Sequence, residues 1–150
     1  MVFEISTNNM ALLAPAAVLT FWSMLVLIFM TAKRLPAFKS IGVDLRTAEP
    51  GGRYVDIEPS LPKKVNWTSH NYTHLMEQPT LFYAVVIILA LAGGSNDFHV
   101  ALAWAYTGLR IAHSVWQIFV NAIAVRFVLF ALSSLCLLIL SFHAILLTLH

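Results

Sequence analysis

The sequence predicts an all-α integral membrane protein, a bundle of four transmembrane helices forming one domain over residues 1–150. Composition is the first ground. Hydrophobic residues make up 59% and charged residues 11%, against ~45–50% and ~25% in soluble domains. Charge clustering is the second. There are 28 uncharged residues between Glu4 and Lys33 and 19 between Glu77 and Asp97, and from Phe98 to His150 the only full charges are Arg110 and Arg126. Runs of that length suit the ~20 residues a helix needs to cross a ~30 Å hydrocarbon layer. The third ground is how turn residues divide the apolar sequence.

The first span is read over 10–32. It is longer than a signal-peptide core of ~7–15 residues and has no basic residue before it, so it is expected to be retained. The second covers 70–93 and stops at the turn "AGGSND". The third covers 98–119, and only "VNAI" separates it from the fourth, 123–147, which implies a tight antiparallel hairpin. Pro15 and Pro79 are read as first-turn residues or mild kinks. The segment 33–69 is rich in Pro, Gly and charge, and is expected to be irregular with a short strand at "GRYVDIEP".

Seven of the nine Lys and Arg residues (Lys33, Arg34, Lys39, Arg46, Arg53, Lys63, Lys64) lie in that segment. The positive-inside rule then puts 33–69 in the cytoplasm and both termini outside. Anionic lipid headgroups are natural partners for these cations. The net charge of +2 is too small to suggest nucleic acid. Cys136 is the only cysteine, so no disulfide forms within one chain. The sequons at Asn66 and Asn71 fall on the cytoplasmic side and are read as chance.

With this topology Glu77, Arg110, His113 and Arg126 converge on one membrane leaflet. Tyr106, Arg110, His113 and Gln117 share one helix face, and His70, His74 and Glu77 form a stripe on the second span. Charge inside a bilayer costs at least ~2.5–3.5 kcal/mol, so these groups should face the bundle interior, with Glu77 paired to Arg110. Such a pair could simply register two helices, and Gln117 and Ser133 could simply bond helix to helix. One carboxylate cannot neutralise two arginines, however. The excess positive charge calls for an anion, such as a carboxylate- or thiolate-bearing ligand. Histidines at i, i+4 can also share a metal, but nothing beyond the spacing supports one and no metal is expected.

The ordered set of "E-x-P-x-x-F" (Glu77, Pro79, Phe82), "R-x-x-H" (Arg110, His113) and an Arg opening the fourth span (Arg126) resembles the MAPEG family, membrane-associated proteins in eicosanoid and glutathione metabolism. The resemblance implies a homotrimer with glutathione bound between subunits and used on lipophilic electrophiles as a transferase or peroxidase. It implies a catalytic role for Arg126, facing the sulfur and favouring the thiolate. It also implies that Arg34, His74, Glu77, Tyr106, Arg110 and His113 bind or brace the peptide. The sequence departs from the family where His70 and His74 replace an Arg and an Asn, Trp116 and Gln117 replace a further ligand, and Phe127 replaces a serine. These mark a divergent, bacterial-type member, expected in the inner (cell) membrane. A scaffold or accessory subunit that keeps the fold without thiol chemistry is the alternative reading.

Overall fold

A computed structural model describes residues 7–44, 46–48 and 50–149. Every regular element in it is helical: α1 (Thr7–Ser40), α2 (Tyr54–Ile57), α3 (Lys63–Leu91), α4 (Asp97–Phe119) and α5 (Ile123–Leu149), with a 3₁₀ turn over Glu58–Ser60. The helices α1, α3 and α5 are each long and apolar enough to cross a membrane. The helix α4 is less apolar, because its buried face carries His99, Thr107, Arg110, His113, Ser114 and Gln117. Both α3 and α4 touch all three other long helices. The polar face of α4 is therefore turned into the molecule.

Core residues recur at heptad spacing along α1 (Leu12, Leu19, Val26) and on α3 (Leu75, Phe82, Val86, Leu89), against Leu137, Leu140 and Ala144 of α5. A seven-residue repeat keeps one seam facing its neighbours and suits helices crossing at shallow angles. The outer surface is also apolar, with Phe21, Ile28, Leu81, Leu138 and Phe142 all exposed. No hydrophobic gain distinguishes core from lipid here, so buried hydrogen bonds and small residues weigh more in packing.

The chain departs from expectation in the basic segment. At ~1.5 Å per residue α1 runs about 51 Å, and it continues through Lys33, Arg34 and Lys39. The strand expected at "GRYVDIEP" is absent, and α2 and the 3₁₀ turn occupy that stretch. The Arg53 N–H donates to the Asp56 carboxylate at 3.0 Å, a local capping bond that favours a helical turn over extended chain. At its start α3 is extended to Lys63, directly after Pro62. Pro15 and Pro79 both lie well inside their helices rather than in a first turn.

Sharp turns join the last three helices. After α3, Gly93 takes φ 71° and the Gly94 N–H reaches back to the Leu89 carbonyl at 2.9 Å, a Schellman closure that needs a left-handed residue. The Asn96 side chain then caps α4 by accepting the His99 N–H at 2.9 Å. At the other end of α4, Asn121 turns the chain with φ 59°, a conformation its short amide tolerates.

Candidate functional site

The end of the bundle that carries the basic segment holds the site. Arg110 is 0% exposed. One guanidinium N–H donates to the His74 carbonyl at 2.7 Å, while Nε and Nη1 are buried without a partner. Three rings cluster beside it. His74 lies 4.9 Å from His113 and 5.3 Å from Phe130, and the guanidinium sits 5.8 Å from the Phe130 ring centre. His74 Nδ1 is also buried and unpaired. The buried cation thus sits beside a cluster of rings with donors to spare.

The face read on α4 is buried as a unit: Tyr106, Arg110, His113 and Gln117 all point inward. Tyr106 stacks on Phe82 at 4.2 Å and reaches Gln78, which donates to Ser134 at 2.7 Å. That chain ties α4 through α3 to α5. The helix-to-helix bond expected of Ser133 belongs to its neighbour Ser134, since Ser133 bonds only its own helix, at the Phe130 carbonyl. Gln117 is buried with its Oε1 unpaired.

The expected Glu77–Arg110 pair is not made within the chain. Among the described residues the ion pairs are Arg53–Asp56 and His70–Glu58. The reason is helical phase. Thr68, Asn71, Leu75, Pro79, Phe82 and Val86 form the buried line of α3, and at ~100° per residue Glu77 lies almost opposite it, exposed. His70 is exposed too and meets Glu58 at 2.5 Å, so the histidines and Glu77 do not cluster. Among the described residues no group of three His, Cys, Asp or Glu is placed to hold a metal ion.

Arg126 is half-buried in the first turn of α5 and donates from Nη1 to Asn121 at 2.7 Å, with Nε buried and free. The asparagine that ends α4 therefore also aims this arginine. Arg34 stands apart, against the basic segment. Its guanidinium lies 3.9 Å from the Tyr54 ring centre and donates to Ser69 at 2.7 Å. Tyr54 in turn donates to Asn66, whose amide donates to the Glu58 carbonyl. Arg34 thus fastens the short α2 turn to α1 and α3.

Sequence reasoning missed Asn71. It is 0% exposed and donates to Ser114 Oγ at 2.8 Å, which also accepts the Trp22 indole N–H at 3.0 Å. This node joins α1, α3 and α4. Its place in a sequon drew attention away, yet Asn71 is one α-helical turn before Leu75 and shares its face. The partner Ser114 could not be found by spacing.

Neither the curated proteins nor the solved structures contain a match to the chain. A family model does match, over residues 12–146, which spans all four long helices and every site residue above. The chain belongs to the MAPEG family and is a membrane protein of that family.

Proposed function

We propose that all four long helices cross the membrane, that three copies assemble, and that an anionic thiol, glutathione or a close relative, binds near the basic end between subunits. Connectivity supports the four crossings. Short turns link α4 at either end to α3 and α5, so if both of these cross, α4 must return between them. Assembly is supported by Glu77. It stands on an outer face beside exposed Met76 and Leu81, and ionisable groups inside membranes face protein rather than lipid. A second copy over that face would remove the cost.

The observation that carries the ligand reading is Arg110. A fully buried guanidinium with two unpaired donor nitrogens and, among the described residues, no carboxylate within 4.0 Å retains charge and hydrogen-bonding capacity for an anion. The free donors of Arg126 and the unpaired His74 ring nitrogen lie on the same end of the bundle and fit such a ligand. Arg110, His74 and His113 would hold it, with Glu77 and Tyr106 bracing the pocket and Arg34 reaching a peptide carboxylate. Glutathione bound there supplies a sulfur nucleophile for lipophilic electrophiles. Arg126 contributes positive potential at the start of α5, where free backbone N–H groups and the helix dipole add to it.

Thermal unfolding in detergent with and without glutathione tests binding. A ligand at ~100 times its dissociation constant adds roughly 2.7 kcal/mol. Ultraviolet absorbance of the bound thiol reports thiolate. Arg126→Ala should abolish conjugation of a chlorodinitrobenzene and leave the assembly intact. Arg126→Lys should retain part of it, since a point charge remains while the fork geometry is lost.

A scaffold reading has its own support. His70, which stands where glutathione-using relatives carry an Arg, is bound to Glu58 of the basic segment at 2.5 Å. If the wild-type chain neither gains stability with glutathione nor shifts the thiol toward thiolate, the scaffold reading replaces the enzymatic one.

A further inference from the structure

A second site lies on the outer surface of the bundle, between α1 and α4. Trp22, Leu25, Val26 and Phe29 of α1 and Ile118 and Phe119 of α4 line a groove of about 190 Å³. That is roughly six times the ~30 Å³ share of one liquid water. No polar side-chain atom is free in its wall, because the one candidate, the Trp22 indole N–H, is bound to Ser114. Enclosed apolar cavities stay dry and take hydrocarbon, and the purely apolar wall of this open groove suits the same occupant. Val26 and Ile118 form the buried floor and Phe119 stands exposed at the rim.

A cation stands at one end. Lys33 follows Phe29 by one turn and holds its ammonium 4.4 Å from the centre of the Phe29 ring. Phe29 in turn contacts Phe119 across the groove, with ring centres 6.4 Å apart. From Trp22 to Lys33 α1 rises about 16 Å at ~1.5 Å per residue. The groove thus has an apolar trough and a positive headpiece in line, which is the charge pattern of one anionic phospholipid lying along a helix. Polybasic segments next to a span attract such lipids generally, and among the described residues Lys33 is the cation stacked on a ring of this groove.

We infer that the α1–α4 groove is a bound-lipid site: one acyl chain lies against Val26 and Ile118, and the lipid phosphate meets Lys33. This does not rest on the thiol reading. The lipid would brace α1 against α4 beside the Trp22–Ser114–Asn71 node.

Thermal unfolding of the full chain in detergent, titrated with phosphatidylglycerol or with phosphatidylcholine of the same chains, tests it. Phosphatidylglycerol should stabilise more than phosphatidylcholine, and soluble glycerol phosphate should not stabilise at all. Lys33→Gln should weaken phosphatidylglycerol binding about fivefold, while Lys39→Gln leaves it unchanged. Ile118→Trp, which fills the trough, should remove the effect of both lipids. If that variant fails to fold, Leu25→Trp fills the groove from its exposed rim and is read by lipid retention in native mass spectrometry. Equal stabilisation by the two lipids would overturn the site. So would an effect of Lys39→Gln as large as that of Lys33→Gln, full activity of glycerol phosphate, or lipid retention unchanged by the tryptophan.

Discussion

Two buried polar centres behave differently at the scale of single residues. The Asn71–Ser114–Trp22 node spends its donors on protein. Ser114→Ala leaves both the indole and an amide N–H without their shared acceptor, and each such orphan costs about 1–3 kcal/mol. In a double-mutant cycle with Asn71→Leu, the two changes should couple by about 0.5–3 kcal/mol, measured by denaturant or thermal unfolding. Strict additivity would mean that Asn71 and Ser114 do not interact. Arg110 is the opposite case, with donors left unspent. Arg110→Met replaces a poorly paired buried charge by an apolar chain of similar length, a change that is often neutral or stabilising by about 1–4 kcal/mol. The expected outcome is an unchanged or higher melting temperature together with loss of any glutathione-induced rise. A lower melting temperature with the ligand response intact would make Arg110 a helix-registering residue instead.

The turns carry the information at the scale of elements. Gly93 adopts φ 71° to close α3, where a Cβ costs about 1–2 kcal/mol. Gly93→Ala should therefore destabilise by about that amount, and Gly93→Asn by less, since Asn enters the left-handed region more easily. At Gly94 a Cβ would meet Cδ1 of Leu147 on α5, a side-chain tip that has to move aside. The same corner is held by His99, whose ring bonds the Gly94 carbonyl on one side and His143 of α5 at 2.6 Å on the other. Helix existence was readable from the apolar runs alone. Helix ends were less so, because α1 and α3 run on into polar sequence that no membrane-length argument covers.

At the scale of the whole molecule, the skewed basic residues predict sidedness. In a background lacking Cys136, a cysteine introduced at Gly52 should be labelled by an impermeant reagent only from the cytoplasmic side, and one at Asn96 only from the other. The reverse pattern would invert the orientation and move the candidate site to the opposite leaflet. Both positions lie in turns joining helices, so neither change disturbs the core.

The sequence by itself determined the membrane class, the apolar runs and the inward face of α4, because burying polar groups in a helix leaves a period that survives without coordinates. The family was legible through a resemblance, in the ordered motifs around Glu77, Arg110, His113 and Arg126. Pairing across helices was decided only in three dimensions. Arg110 meets the His74 carbonyl rather than Glu77, Gln78 meets Ser134 rather than Ser133, and His70 meets Glu58 twelve residues away. The first two outcomes depend on how each helix is rotated about its axis, where consecutive residues differ by ~100°. A stripe read along one helix states which residues share a face, while only packing against the neighbouring helices states where that face points.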